Sequence, residues 1–240
     1  MTEPSADLAI KNLETHPQEF IPLNQLTLLN PEQLNIPKPP DSKEFSSWFQ
    51  KSQVVNEQGH PLIVYHGTSG DADFTKFDLD KVEGGIHFGS LDQAKTAAKP
   101  KAINSTSQRA RILPCYLSIQ RPLELKDLHS FNFNMLLQEL FNQNIIKKGN
   151  YLSHKIRSFV DEVAMTIEEF ANPQSQYYEK YHRKQNTRLR NILSKLGFDG
   201  IIYENTFEGK GKSFIIFRPG QCKSVYNQGF FNPENFNIYS

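Results

Sequence analysis

The chain of 240 residues is poor in cysteine, with only Cys115 and Cys222. Two cysteines exclude a disulfide scaffold and a cysteine-rich zinc domain, and the simplest expectation is a pair of reduced thiols inside a cell. Long apolar runs are missing too: none approaches the roughly 18 residues of a membrane span. Met1 to Ile10 carries Glu3 and Asp7 and has no basic start ahead of an apolar stretch, so no signal peptide is expected. Net charge is almost absent. Lys+Arg is 27 and Asp+Glu is 26, which leaves +1 and argues against a histone-like or strongly acidic chain. Aromatic residues, by contrast, are plentiful. Eighteen Phe and nine Tyr argue against global disorder. The length suits one large domain or two small ones.

Residues 1–40 read as a leader or ancillary segment, because Pro22, Pro31, Pro37, Pro39 and Pro40 break regular structure there. The main domain is expected over 41–240. Asp41 or Ser42 can cap a helix that carries Phe45, Trp48 and Phe49 on one face. Gln58-Gly59-His60 reads as a turn, and Leu62 to Tyr65 as a strand ending in His66-Gly67-Thr68. Gly84-Gly85 opens Ile86-His87-Phe88, and Ser90-Leu91-Asp92-Gln93 reads as a capping box before a short helix. Residues 99–111 read as a polar loop. Ile112 to Ile119 is β-rich, with Pro114 suggesting an edge position or a bulge. A helical block is expected over about 130–196. Its helices run through Phe133–Phe141, Ile156–Ile167 and 183–196, with Gly197 at the last C-cap. Ile201 to Tyr203 and Ser213 to Phe217 read as strands joined by a polar hairpin. Strands in two groups around a helical block argue for an α+β fold.

Several motifs are excluded. Gly209-Lys210-Gly211-Lys212-Ser213 is no phosphate-binding loop, since Thr206 stands where a Gly is needed and a strand follows instead of a helix. No G-x-G-x-x-G follows a strand, no H-E-x-x-H occurs and no G-x-S-x-G elbow is present.

What remains is a strand-end His66 followed by Gly67, where a missing side chain lets another group approach the backbone. In order along the chain come Tyr65-His66-Gly67-Thr68, Gly85-Ile86-His87-Phe88, and Phe198-Asp199-Gly200-Ile201-Ile202-Tyr203-Glu204-Asn205. Glu208 follows, then Ser213 to Phe217 and Pro219 to Ser224. This series resembles the ADP-ribosyltransferase fold of the diphtheria-toxin and poly(ADP-ribose) polymerase type, and most closely the small domains of phage polyvalent proteins and bacterial effectors. The likeness runs over roughly residues 45–225.

The resemblance implies a split mixed and antiparallel sheet that clasps NAD as substrate, with no metal. His66 would bond the adenosine ribose. The Gly67 backbone would hold the nicotinamide carboxamide, with Thr68 in the position where Ser or Thr often follows. His87 stands where the family has a stacking Tyr, and its flat imidazole can stack as well. The two histidines are expected to face each other across one pocket, with Phe88 turned into the core. Ser213 stands where polymerase-type members begin the strand with Glu, and is expected beside the cofactor. The phage-type pattern Asn-x-x-Glu fits Asn205-Thr206-Phe207-Glu208, which makes Glu208 the first candidate for the catalytic carboxylate and Glu204 the second; loss of transferase activity is the third reading.

The expected reaction is mono-ADP-ribosyl transfer from NAD to a macromolecule. A protein side chain is the first acceptor class and nucleic acid the second, and the setting is a cytoplasm, the host's for a translocated effector or toxin. The rivals are a non-catalytic module that binds NAD or a partner, and an NAD glycohydrolase. From Lys180 to Lys223 the chain carries a charge of +7, a strip suited to a pyrophosphate or an acidic partner and equally to a solvated helix face.

Overall fold

The structure is a computed structural model that describes residues 21–22, 36–69, 74–79, 82–99, 109–146 and 176–240. The chain divides into two compact units. The first comprises Met1–Leu79, Ile86–Asp127 and Gly197–Ser240, and the second Asp80–Gly85 and Leu128–Leu196.

Among the described residues the first unit holds two sheets of four strands each. In one, β4 (Arg109–Leu117) lies between β2 (Val64–Ser69) and the pair β1 (Ile21–Pro22) and β8 (Cys222–Ser224), all antiparallel to it. The other has the order β3-β7-β6-β5, from Ile86–Phe88, Gly211–Ile216, Gly200–Asn205 and Pro122–Lys126. Among the described strands β5 and β6 form the parallel pair. The sheets join at one bridge, where Tyr65 N–H donates to Gly89 O at 2.8 Å and Gly89 N–H returns the bond at 3.0 Å. This is the α+β, split-sheet architecture expected from the sequence.

The His-Gly-Thr triplet lies inside β2 and does not follow it. Pro114, expected at an edge or bulge, sits in the central strand. Tyr65 spends its N–H and C=O on Gly89, so in the alternation of an antiparallel ladder it asks nothing of Pro114 opposite. On its other edge β1 pairs with residues 109–110 and β8 with 115–117, so the missing N–H falls between them, while Pro114 O accepts Val225 N–H at 3.1 Å. Strands β5 and β8 lie outside the strands expected from the sequence.

Local signals set the helix starts. Ser42, and not Asp41, caps α1 (Lys43–Phe49), its Oγ accepting Phe45 N–H at 3.1 Å. Phe45, Trp48 and Phe49 bury against Tyr116, Val225 and Phe231. Trp48 Nε1–H donates to Gly220 O at 2.9 Å, which satisfies the one polar atom of this cluster's largest ring. The Ser90 capping box starts α2 (Leu91–Ala97), which packs Leu91 and Ala94 on Tyr65 and Ile112.

The paired Asp199-Gly200 is structural. The Asp199 carboxylate accepts Gln120 and Arg121 N–H at 2.8 and 2.7 Å. A side chain at Gly200 would meet Ile119 and the Ile215 carbonyl at 2.8 and 2.9 Å. The C-terminal stretch is fastened by Lys223. Its buried Nζ donates to the carbonyls of Asn235 at 2.7 Å, Asn237 at 3.0 Å and Ser240. Burial pulls that amine down to about 8, with Cys222 acting in the opposite sense.

The second unit contains α3 (Phe133–Asn142) and α4 (Gln176–Lys195). Asn132 caps α3, whose Phe133, Leu136, Leu137 and Leu140 are buried. Helix α4 begins seven residues ahead of the expected 183 and buries Leu189 and Leu193. The helix expected over Ile156–Ile167 lies outside the described residues. Gly197, with φ of +96°, follows α4 as a C-terminal glycine should. Among the described residues no helix is long and apolar enough to cross a membrane.

Helix α2 lies so close to β2 that a Cβ at Gly67 would sit 1.8 Å from the Ala94 carbonyl oxygen. Gly67→Ala must therefore push the helix off the sheet. We expect a loss of about 3 kcal/mol in denaturant unfolding, at the upper end of overpacking effects; an unchanged midpoint would contradict this packing.

Candidate functional site

The site begins where β2 and β3 part. Beyond the Tyr65–Gly89 bridge the ladder stops, and among the described residues no backbone bond joins Gly67 to His87. Alternation from Tyr65 points the N–H and C=O of Gly67 away from β4 and toward this opening. The opening thus offers a donor and an acceptor side by side, the complement of a carboxamide. The glycine itself is required by helix packing: the space of its missing side chain is taken by Ala94.

His66 reaches into the same opening. Its Nδ1 lies 2.8 Å from His87 O. A carbonyl only accepts, so Nδ1 carries the hydrogen and Nε2 of the neutral ring is left as an acceptor. The His66 ring packs edge-on against Phe77 with centroids at 4.9 Å and lies tilted to Phe88 at 5.5 Å. Burial pulls its imidazole down to about 4; the bond to His87 O opposes this, and the His87 and Arg111 charges add to it. Thr68 is half-buried and pairs with Arg111 across the strands.

His87 alternates with Phe88, so its ring takes the other side of the strand. Phe88 is buried with Phe77, as alternation predicts. The His87 ring meets Tyr203 edge-on at 6.5 Å. The two histidines are therefore linked through the His87 main chain, and their rings take different aromatic neighbours. That differs from the expected face-to-face pair, because one bridge fixes opposite parities at positions 66 and 87.

The face of the second sheet that carries His87 also carries Tyr203, Asn205 and Ser213. The register pairs His87 with Ile215 and Tyr203 with Ser213, and residues two apart share a face. Asn205 is the junction. Its Oδ1 accepts Phe207 and Glu208 N–H, each at 3.0 Å, forming an Asx turn. Its Nδ2 donates to Glu208 Oε2 at 3.2 Å and Ser213 Oγ at 3.0 Å. The Asn-x-x-Glu spacing thus has a physical cause: the amide makes the turn and holds the carboxylate. Glu204 alternates to the opposite face, opposite Lys212, and is exposed.

Ser213 is buried, and its hydroxyl is spent on Gln93 Oε1 at 3.1 Å. It acts on the site through Asn205. Two further residues of the cluster, Tyr203 and Gln93, carry no functional motif in the sequence. Tyr203 hydrogen-bonds Ser213 and Asn205; burial pushes its phenol up to about 12, those bonds oppose the shift, and the Glu208 and Asp127 charges add to it. Gln93 reads in sequence only as a cap, though its amide also reaches Gly209 O and Gly211 O at 3.0 and 3.2 Å. Among the described residues no three His, Cys, Asp or Glu side chains group to hold a metal ion.

The profile of a family described as ADP-ribosyltransferase in polyvalent proteins matches residues 56–231. No curated protein and no solved structure matches the chain.

The folded-state value for His66 lies below the ordinary 6.5, so the unfolded chain binds the extra proton first as pH falls. The stability that the neutral ring contributes is complete above about 6.5 and is lost on the way down through about 4. We expect the His66 ring resonances to titrate near 4 by NMR and the His66→Gln variant to lose this part of the acid destabilisation. A midpoint at 6.5 would mean that the ring is free in solvent.

Proposed function

Because the chain belongs to the family of ADP-ribosyltransferases in polyvalent proteins, we propose that it transfers a single ADP-ribose from NAD to a protein side chain. The observation that carries this reading is the Asn205–Glu208 contact, which holds a carboxylate beside the sheet face of Tyr203 and His87. In this reading the Gly67 backbone takes the carboxamide, His66 Nε2 accepts from a ribose hydroxyl, and the His87 ring stacks on nicotinamide, with Thr68 at the edge of the pocket.

The bond between nicotinamide and ribose breaks with its electron pair leaving on the nicotinamide, which departs neutral. The ribose gains oxocarbenium character, as in glycoside cleavage. The Glu208 carboxylate stabilises that positive charge in place, without having to reorganise. The acceptor's lone pair then closes on the anomeric carbon and its proton passes to a base, a role the same carboxylate can serve.

A macromolecular acceptor is favoured over water by Phe207. It precedes Glu208, its main chain is fixed by Asn205, and its side chain is 79% exposed. Thr206 beside it donates twice to Asp127, at 2.8 and 2.9 Å, so the ring is presented on a fastened turn. Hydrolysis has no use for such a ring, whereas a docked protein surface would bury it.

Glu208→Gln should keep NAD binding and lower nicotinamide release by about 10²- to 10³-fold, the usual effect of removing a preorganised electrostatic contact. Glu204→Gln, on the opposite face, should stay near wild type. Label from NAD should appear on protein in lysate; release with no labelled protein would point to the glycohydrolase, and wild-type turnover in Glu208→Gln would move the carboxylate elsewhere.

The setting we propose is that of an effector or toxin acting in a cytoplasm. Cells expressing the wild type should then grow more slowly than cells expressing Glu208→Gln. Equal growth would count against a toxic role.

A further inference from the structure

We infer that Gln93 is a positioning residue for the Glu208 carboxylate, acting as a clasp between the His87 corner and the β6–β7 hairpin. The inference rests on the reading of Glu208 given above. Gln93 is 2% exposed, and each polar position of its amide is used. Oε1 accepts Ser90 N–H at 2.7 Å and Ser213 O–H at 3.1 Å. Nε2 donates to Gly209 O at 3.0 Å and Gly211 O at 3.2 Å. From Gln93 a continuous line runs through Ser213 Oγ and Asn205 Nδ2 to Glu208 Oε2.

Capping alone does not account for a glutamine here. A capping box uses only the acceptor oxygen, and Glu serves it as well as Gln. Ionised Glu has no hydrogen to give, and would face two carbonyl oxygens across the hairpin. The backbone is also shaped around the amide. A Cβ at Gly89 would stand 2.0 Å from Gln93 Oε1. At Gly209, where φ is +146°, a Cβ would meet Gln93 Cγ at 3.4 Å. Each turn that the clasp joins carries a glycine beside the amide, Gly89 before the bonded Ser90 and Gly209 in the hairpin. His87 lies two residues before Gly89, and Glu208 directly precedes Gly209. The amide thus sets the separation between the proposed stacking ring and the proposed carboxylate.

The discriminating variant is Gln93→Glu, which keeps the cap and loses the clasp; Gln93→Met removes both and keeps the volume. At pH 8 both should bind NAD within a few-fold of wild type by calorimetry. Nicotinamide release should fall in kcat by about 10²-fold, the scale of a misplaced catalytic group. As pH falls from 8 to 6, Gln93→Glu should recover part of that loss, because its buried carboxyl takes a proton and regains one donor. Wild type and Gln93→Met should show no such recovery. Hydrogen exchange should quicken at residues 206–212 in both variants and stay slow in β2 and β4.

A Gln93→Glu protein with wild-type kcat and wild-type exchange would reduce Gln93 to a helix cap and overturn the inference. Loss of the melting transition in both variants would make it a core residue and overturn it equally. If wild type itself releases no nicotinamide, the proposed function fails, and the exchange measurement alone decides the clasp.

Discussion

Tyr65 and Gly89 exchange two backbone hydrogen bonds, and at that point the sheets both meet and separate. One more paired residue would have closed Gly67 onto His87 and filled the opening with a ladder. With a single bridge, the edge of β2 points out at Gly67 a donor and an acceptor that meet no backbone partner among the described residues, and His66 can reach across to the carbonyl of His87. The parity of the bridge also decides which rings become neighbours. His66 goes with Phe88 and Phe77, and His87 goes with Tyr203. The rest of the site is organised around that corner: the N-cap Ser90 of α2 directly follows Gly89, and the Gln93 of its capping box extends to the hairpin that carries Glu208.

How much of this could be read in the sequence depended on how local each cause was. Ser42 and Ser90 act within three residues, so their roles were visible as spacing. The His-Gly-Thr and Gly-Ile-His-Phe pieces stood out for the same reason, although β2 runs through the triplet and does not stop before it. Glu208 is favoured over Glu204 by the resembled family's Asn-x-x-Glu pattern, and the turn that gives this spacing a physical cause is supplied by the structure. The parity that separates the two imidazoles was hidden, because it is set by one bridge between residues that no periodicity connects.

The partners of Gln93 lie 116 to 120 residues further on, so its sequence context displays only the cap. Pro114 was misleading because proline is tolerated in a central strand where two neighbours leave a gap, and that gap comes from β1 and β8, distant in sequence. Strand β5 mixes Glu124 and Lys126 with its leucines, and β8 is three residues long with a buried lysine at its centre, so neither carries an apolar run. The +7 strip also divides on inspection. Lys223 is spent on carbonyls, whereas Lys210 and Lys212 stand exposed on the hairpin next to Glu208.

The order of strands in the second sheet has a consequence in time. Strand β3 ends at Phe88, and its sheet partner β7 begins only at Gly211, with the whole helical block synthesised between them. At about 5–20 residues per second, β3 and β5 wait on the order of ten seconds for β6 and β7 to emerge. Until then the apolar Ile86, Phe88, Leu123 and Leu125 have no sheet to bury them. The Glu208 hairpin follows the helical block in sequence, so a growing chain carries the His66 corner well before it carries Glu208. Such late, long-range pairing is slow and exposes edges that other chains can join. Until β6 and β7 are made, the edges of β3 and β5 are therefore the places where a nascent chain can pair wrongly.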